Sequence, residues 1–242
     1  MHRFFVKHKL DINDTAHLSD SDSIFAINKL KLNIEDFIEI ETYESIFLAL
    51  IGNIEKSSVE VQIVKKIEDK ESIGPIDITL VQSLIGKNNF NFFLEKSVEI
   101  GIGRIVPIQS QYSHIKKNKA IKEYGLWKKI IKDTVEQSRN ITPTIIEKPI
   151  NLKDLKVSNR SNRICLTTEN IKTVSLNEYF GKVDIKKPTV IAIGPEKGWS
   201  SKDLEIMKEK GFSFVKLKTN ILRAESAGLV VGSIIKYLKG EI

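Results

Sequence analysis

Two loops in the last third of the sequence combine glycine, proline, carboxylate and arginine residues in a pattern that could bind a small molecule. Each loop follows an apolar, strand-like run. One is Gly194-Pro195-Glu196-Lys197-Gly198-Trp199-Ser200, and the other is Lys218-Thr219-Asn220-Ile221-Leu222-Arg223-Ala224-Glu225-Ser226-Ala227. In parallel sheets, ligands bind beyond the carboxyl ends of the strands, where such loops expose backbone N–H and C=O groups. We therefore predict a small-molecule site at these strand ends, with ordinary turns as the alternative.

The elements around these loops are typical of a parallel α/β sheet, because strand-like runs alternate with helical stretches long enough for crossover connections. The predicted strands are 76–81, 104–108, 164–167, 189–193 and 212–217. The predicted helices are 89–100, about 120–138, 200–210 and about 225–238. Gly101 is placed to end the first helix, and Ser200 with Asp203 to begin the third. Ile121, Trp127 and Ile131 recur on one face of the second helix, which we expect to be buried.

The first part of the chain has a different pattern. Short β-branched runs at 37–41, 45–50 and 59–64 are separated by polar breaks of a few residues. This spacing predicts a small antiparallel sheet or barrel. Because the rhythm changes at Gly74-Pro75, we predict two domains, 1–72 and 73–242, of which the second has the α/β fold.

The composition excludes several classes of protein. With 41% hydrophobic and 29% charged residues, the 242-residue chain is neither disordered nor of low complexity. The single cysteine, Cys165, cannot form an internal disulfide, and the four histidines lack metal-ligand spacing, so we predict no metal. No glycine loop ends in Gly-Lys-Ser/Thr, which excludes a P-loop. The longest apolar run, 46–51, is too short to cross a bilayer, so we expect a cytoplasmic protein without membrane contact.

The net charge of +7 is unevenly distributed. Residues 1–70 hold 9 basic and 13 acidic side chains, whereas residues 71–242 hold 29 basic and 18 acidic ones. This surplus favours a polyanionic partner such as RNA, because phosphate contacts release counterions and supply affinity that does not depend on sequence. A solvated, lysine-rich surface is the alternative, and charge alone does not separate the two.

The two loops resemble the GPEGGFS and LG-x-x-ILR-x-ETA signatures of the RsmE family of ribosomal RNA methyltransferases. Four further stretches agree with this family in the expected order: Met1-His2-Arg3-Phe4-Phe5, Lys96-Ser97-Val98-Glu99-Ile100-Gly101, Ile105-Val106-Pro107, and Glu136-Gln137-Ser138-Arg139 with Pro143. The resemblance therefore spans nearly the whole chain, and the combination of motifs is specific although each motif alone is weak.

The resemblance implies a fold, a cofactor and a reaction. The fold is an N-terminal PUA-like β-barrel that binds RNA, over 1–72, followed over 73–242 by a SPOUT methyltransferase domain, an α/β fold with a trefoil knot. The cofactor is S-adenosyl-L-methionine, and the protein is expected to be a homodimer. The reaction is methylation of uridine N3 in small-subunit (16S) ribosomal RNA, either free or in the assembled small subunit.

The resemblance also assigns site residues. The residues expected to bind the cofactor are Leu166, Thr167, Gly194, Pro195, Glu196, Gly198, Leu217, Ile221, Leu222 and Ala227. The expected catalytic residues are Arg223, Glu225 and Arg139, although an ion pair for the first two and a helix-dipole contact for the third are structural alternatives. The residues expected to contact RNA are Arg3, Lys29, Lys87, Lys116, Lys117 and Lys128, for which a solvated surface is the alternative.

Some positions depart from the family pattern and keep other functions open. Lys197 and Lys218 replace glycines in the two loops, and a lysine that points inward would repel the cationic sulfonium of the cofactor. Lys29 replaces an arginine in the N-terminal domain, and Tyr112 stands where an arginine is usual. One alternative function is therefore a non-catalytic RNA-binding relative that assists ribosome assembly. Another is a methyltransferase for a different RNA uridine.

Overall fold

The chain forms two compact units, residues 1–74 and 75–242. The computed structural model describes residues 1–42, 44–69, 77–138, 144–218 and 220–242, apart from the side chain of Glu136. The domain boundary predicted near residue 72 lies outside the described residues.

The first unit is built on a five-stranded sheet in the order β1-β3-β4-β5-β2. Its elements are β1 (Arg3–Phe5), β2 (Thr15–His17), α1 (Asp20–Asn28), β3 (Phe37–Glu41), β4 (Ser45–Glu55) and β5 (Ser58–Asp69). All three predicted runs are strands, and their mutual pairings are antiparallel as predicted. The pairing of β1 with β3 is parallel, which the sequence did not indicate. The period-2 alternation buries Val59, Val61 and Ile63 of β5 completely.

The second unit is an eight-stranded sheet in the order β11-β13-β10-β12-β6-β7-β8, with β9 also paired to β7. The strands are β6 (Ile78–Ser83), β7 (Arg104–Gln109), β8 (Ile145–Ile146), β9 (Ile150–Asn151), β10 (Asn162–Leu166), β11 (Val174–Ser175), β12 (Thr189–Ile193) and β13 (Ser213–Lys216). The helices are α2 (Lys87–Ile100), α3 (Lys117–Ser138), α4 (Leu176–Phe180), α5 (Ser201–Glu209) and α6 (Ala224–Lys239). Every described pairing in this sheet is parallel, which confirms the predicted α/β fold.

Apolar side chains cover both faces of this sheet, as parallel sheets require. One core includes Phe90 of α2, Trp127 of α3 and Leu229 of α6. The other includes Met207 of α5 together with Val81 and Val190 from the strands. All five residues of β12 are buried, which is typical of a central strand in a parallel sheet.

Local signals set the ends of the helices. Gly101 ends α2 with a left-handed φ of 78°, and a capping box of Ser200 and Asp203 begins α5, both as predicted. Within α3, Trp127 packs on Phe90 with 4.4 Å between ring centroids. The prediction for Ile121 was wrong: it is 47% exposed, and the neighbouring Ala120 is buried in its place.

Two glycines of α6 allow this helix to approach the rest of the unit closely. A Cβ atom on Gly228 would lie 2.8 Å from Cδ1 of Ile193, and one on Gly232 would lie 2.9 Å from Cδ1 of Ile102. Gly125 of α3 is the opposite case, because a Cβ atom there would meet nothing within 4 Å.

We predict that Gly228→Val lowers the free energy of unfolding of the second unit by about 1–3 kcal/mol, because the added atoms overpack α6 against β12. Gly125→Ala serves as the matched control and is expected to stabilise by roughly 0.5–1 kcal/mol through helix propensity. Urea unfolding followed by tryptophan fluorescence reports on this unit, since both tryptophans, Trp127 and Trp199, belong to it. An unchanged urea midpoint for Gly228→Val would contradict the close approach.

Candidate active site

A cavity of about 540 Å³ opens at the carboxyl ends of β10, β12 and β13. These three strands are neighbours in the sheet, so the loops that follow them meet although they are far apart in the sequence. The loops are 167–169, 194–199 and the stretch of which 217 and 220–223 line the cavity, and the first turn of α6 completes the wall. The volume lies within the roughly 300–1,000 Å³ that is usual for small-molecule sites.

The cavity brings together every residue that the resemblance assigns to the cofactor: Leu166, Thr167, Gly194, Pro195, Glu196, Gly198, Leu217, Ile221, Leu222 and Ala227. Of the expected catalytic residues, Arg223 and Glu225 also line it. Arg139 lies outside the described residues. That these residues bind a cofactor or act on a substrate stays a prediction.

Close contacts with neighbouring side chains favour glycine at two positions of the loop 194–199. A Cβ atom on Gly194 would lie 3.2 Å from the indole ring of Trp199. Gly198 has a φ of 74°, which disfavours other residues, and a Cβ atom there would overlap the carboxylate of Glu169. A Cβ atom at position 194 would require the indole to shift by a few tenths of an ångström, whereas at position 198 both the φ and the overlap with Glu169 disfavour one.

Hydrogen bonds fix this loop to its surroundings. The buried indole of Trp199 donates from Nε1 to the carbonyl oxygen of Leu166 at 2.9 Å. On the other side, Oε1 of Glu196 accepts from the backbone N–H of Gly86 at 3.2 Å. Because Gly86 is the N-cap residue of α2, the Glu196 carboxylate also complements the positive end of that helix. Glu196 thus has a structural contact in addition to its place in the cavity wall.

Glu225 and Arg223 differ in exposure although they belong to the same turn. The Glu225 side chain is 8% exposed, whereas that of Arg223 is 83% exposed, and Nη1 of Arg223 lies 3.8 Å from Oε1 of Glu225. Oε2 of Glu225 is buried and has no hydrogen-bond partner among the described residues. A buried carboxylate oxygen without a partner is costly, so it marks a position where a ligand could donate a hydrogen bond or bring a positive charge.

Sequence reasoning missed three lining residues that make or border these contacts: Glu169, Trp199 and Asn89. Glu169 follows the end of β10 within a polar stretch, which is the same signal that identified the other loops, but its partner in the second loop, Trp199, lies thirty residues away. Trp199 lies inside the motif, but only the fold shows that its indole contacts Leu166 at the end of β10.

Comparison with known proteins identifies the family. A family model described as an RNA methyltransferase domain matches residues 72–236. The ribosomal RNA small subunit methyltransferase E of Aquifex aeolicus is 31% identical over 192 residues, which cover 78% of this chain and 80% of that protein. The chain belongs to the RsmE family. The relative of the same name from the Buchnera aphidicola of Acyrthosiphon pisum is 28% identical over 243 residues, 99% of this chain and 94% of its own length.

Solved structures, among them that of a ribosomal RNA small subunit methyltransferase E, share the fold over nearly the whole chain. The enzyme from Neisseria gonorrhoeae, whose crystal structure contains S-adenosyl methionine, matches with a TM-score of 0.78 and 26% identity over 98% of both chains. A probable rRNA methyltransferase from Porphyromonas gingivalis matches with a TM-score of 0.79 over 99% of both chains. At 21% identity, this second match supports the fold alone.

The residues expected to contact RNA lie in both units, and several are already paired. In the second unit, Lys87 forms an ion pair with Glu123 at 2.9 Å, and Lys128 lies over the ring of Tyr124, 5.2 Å from its centroid. Lys116 and Lys117 lie at the start of α3. In the first unit, Lys29 is exposed at the end of α1.

Arg3 is the most strongly engaged of these residues. It donates from Nε to Glu39 at 2.6 Å and lies 3.9 Å from Glu41, and the hydrogen bond to Glu39 raises the pKa of Arg3. Its charge is therefore largely balanced within the first unit.

The two lysines that replace motif glycines are exposed, and neither lines the cavity. Hydrogen bonds from Ser175 lower the pKa of Glu178, and Lys218 is near enough to Glu178 to contribute to the same effect. The inward orientation that would repel a cationic ligand is therefore not observed for Lys197 or Lys218. Tyr112, the other departure in this unit, is 43% exposed after β7.

The described residues show neither a candidate metal cluster nor a candidate membrane-spanning helix. They contain no group of three or more His, Cys, Asp or Glu side chains that could hold a metal ion. None of the helices in the described part of the chain combines the length and apolarity needed to span a membrane.

Cys165 lies one residue before the cavity and is completely buried in β10. Burial raises the pKa of its thiol well above the usual value, and the charges of Glu169 and Asp203 act in the same direction. A protonated, buried thiol is neither a nucleophile nor a redox sensor, so Cys165 is a packing residue.

We predict that Cys165 does not react with Ellman's reagent in the native protein at about pH 8, where an ordinary thiol is partly ionised. The raised pKa keeps the thiol protonated at that pH, and burial excludes the reagent. Absorbance at the thionitrobenzoate band measures the reaction, and the same protein in urea should react with one equivalent. Fast stoichiometric labelling of the native protein would show that the strand end opens.

Proposed function

We propose that the protein transfers a methyl group from S-adenosyl-L-methionine to N3 of a uridine in small-subunit ribosomal RNA. Membership of the RsmE family supports the reaction class. The observation that carries the proposal is the buried, unpartnered carboxylate oxygen of Glu225 in a cavity lined by every residue matched to the family's cofactor motifs.

The cavity fits this cofactor in size and charge. Three carboxylates line it, from Glu169, Glu196 and Glu225, against two basic side chains, from Lys216 and Arg223, which suits a cationic ligand. Adenine and ribose would be held by backbone groups of the loops after β10, β12 and β13, where the absence of Cβ atoms at 194 and 198 leaves the chain open to close approach. When bound, the cofactor supplies an electrophilic methyl group on a sulfonium.

The residues of this chain have to orient the uracil and remove the proton from N3. Glu225 supports the role of proton acceptor best, because its side chain lines the cavity and its buried Oε2 has no hydrogen-bond partner among the described residues. Arg223 stands beside it on the exposed rim and can donate to a uracil carbonyl oxygen, which stabilises the negative charge that develops on the ring.

Lysines of α3 and of the preceding loop are suited to hold RNA phosphates. Lys116, Lys119, Lys122, Lys129 and Lys132 are all exposed on this segment. Point charges on flexible side chains position a phosphate backbone without reading the bases. In the first unit, we assign the role of RNA contact to Lys29 rather than to the ion-paired Arg3.

The finer features of fold and assembly belong to the same proposal. Register shifts in the β4–β5 pair bend long strands, as a PUA-like barrel requires. After β13, which lies beside β10, the chain continues to α6. This helix packs against α2, β6 and β12, and this path supports a trefoil knot.

The surface of α6 supports a homodimer, because it carries three exposed apolar side chains, Val230, Tyr237 and Leu238. A ribosomal RNA substrate supports a cytoplasmic location.

We predict that the wild-type protein binds S-adenosyl-L-methionine and that Lys197→Gly and Lys218→Gly each change the affinity by less than about threefold, because exposed charges are screened by solvent. Isothermal titration calorimetry measures all three affinities. If the wild type failed to bind while the glycine variants bound, the site would have decayed, and the non-catalytic RNA-binding function would take its place.

We predict that Glu225→Gln lowers kcat by about 10²–10⁴-fold, the usual contribution of a general base, because the amide cannot accept the N3 proton. Glu205→Gln, an exposed position on α5, is the control for the loss of one charge. Activity is measured as transfer of a radiolabelled methyl group to small subunits from a strain that lacks the enzyme.

Chromatography of the digested RNA then identifies the product, which we expect to be 3-methyluridine. Another methylated nucleoside would contradict the N3 assignment, and 3-methyluridine at an unexpected position would indicate a different target uridine. Equal kcat for Glu225→Gln and the wild type would remove Glu225 from the mechanism.

A further inference from the structure

Glu169 has no role in the sequence motifs, yet its carboxylate lies between two of the three cavity loops. It is partly buried and lines the cavity. Oε1 accepts from the backbone N–H of Trp199 at 2.7 Å. Oε2 accepts from the backbone N–H of Thr168 at 3.1 Å and from the hydroxyl of Thr167. A single side chain thus ties the loop after β10 to the loop after β12.

The neighbouring residues are adapted to this carboxylate. A Cβ atom on Gly198 would overlap Oε1 of Glu169, so it would displace the carboxylate from this position. The indole of Trp199 makes a second connection between the same two loops through its hydrogen bond to Leu166. Both connections end on Trp199, one at its backbone N–H and one at its indole, and they begin three residues apart, at Glu169 and Leu166, so together they fix the spacing of the two loops.

We propose that Glu169 is a positioning residue that holds these two loops at the spacing required for cofactor binding and thereby sets cofactor affinity. The inference rests on the proposed function, because it assigns the cavity to S-adenosyl-L-methionine. Loops that are already ordered do not have to be immobilised when the ligand binds, so the ligand keeps that part of its binding free energy.

The role requires a carboxylate and not just a polar side chain of the same size. Glu169 faces three donors, and an ionised carboxylate offers only acceptors. In Glu169→Gln, the amide NH₂ group would face either Trp199 N–H or the donors of Thr167 and Thr168. One of the two loops would then lose its connection.

The first test measures cofactor affinity by calorimetry for the wild type, Glu169→Gln and Glu169→Ala. We expect both variants to bind S-adenosyl-L-methionine at least about tenfold more weakly, the effect of losing one hydrogen bond to a charged group. Glu178→Gln is the matched control. Its carboxylate also accepts from a backbone N–H and a hydroxyl, both of Ser175 at 2.7 Å, but it lies in the capping box of α4 and does not line the cavity. Affinities of the Glu169 variants equal to the wild type, or an equal loss in Glu178→Gln, would overturn the proposal.

A second measurement separates this inference from the proposed function. Without cofactor, amide hydrogen exchange at Trp199 should be at least about tenfold faster in Glu169→Gln than in the wild type, and unchanged in Glu178→Gln. If the wild type bound no cofactor, the proposed function would fail, and exchange at Trp199 would still decide whether Glu169 holds the loops. Unchanged exchange in Glu169→Gln would overturn the positioning role.

A double-mutant cycle tests the contact with Gly198 directly. Gly198→Ala should weaken cofactor binding in the wild type through both the positive φ and the overlap with Glu169, but only through φ in the Glu169→Ala background. We therefore expect the loss caused by Gly198→Ala to be at least about threefold smaller in that background. Equal losses in the two backgrounds would show that the carboxylate does not occupy this position.

Discussion

Parallel pairing of β13, β10 and β12 is the constraint on which the rest of the second unit depends. A parallel sheet must be covered on both faces, so its central strands are largely buried, and the chain has to cross over between strands through helices. All five residues of β12 are buried for this reason. The loops that follow these three neighbouring strands meet at their carboxyl ends, where they enclose the cavity.

The sequence predicted this arrangement where the signal is local and continuous. The bounds of β12 agree with the predicted run 189–193, and Gly101, Ser200 and Asp203 end or begin their helices as expected. It did not predict β1 and β2, because strands of three residues carry too little periodicity. Ile121 shows that periodicity is also an incomplete guide in a helix. This residue lies at the margin of the apolar face and is exposed, because the smaller Ala120 beside it takes the buried position.

The candidate site, too, contains some residues that the sequence could predict and others that it could not. Residues within motifs could be found because the motifs follow strand ends. The proposed function of Glu169, in contrast, depends on a partner thirty residues away and on the fact that β10 and β12 are neighbours in the sheet.

Counting charges along the sequence overestimates the positive charge available to a partner, because the count does not show which charges form ion pairs. Arg3 and Lys87 contribute to the basic total, but their ion pairs with Glu39 and Glu123 reduce what they offer to RNA. The exposed lysines along α3 retain that capacity.

The contact of Glu169 with Gly198 explains why the loop can differ from the GPEGGFS pattern at some positions and not at others. Position 197 is exposed and does not line the cavity, so a lysine can replace the first of the two consecutive glycines in the pattern. Position 198 combines a positive φ with a carboxylate where a Cβ atom would lie, and it is still glycine. Trp199 stands where the pattern has phenylalanine, and its indole N–H donates to Leu166, a bond that phenylalanine could not make. Since this bond joins the same two loops as Glu169, the substitution adds to the connection that orders the cavity before a ligand binds.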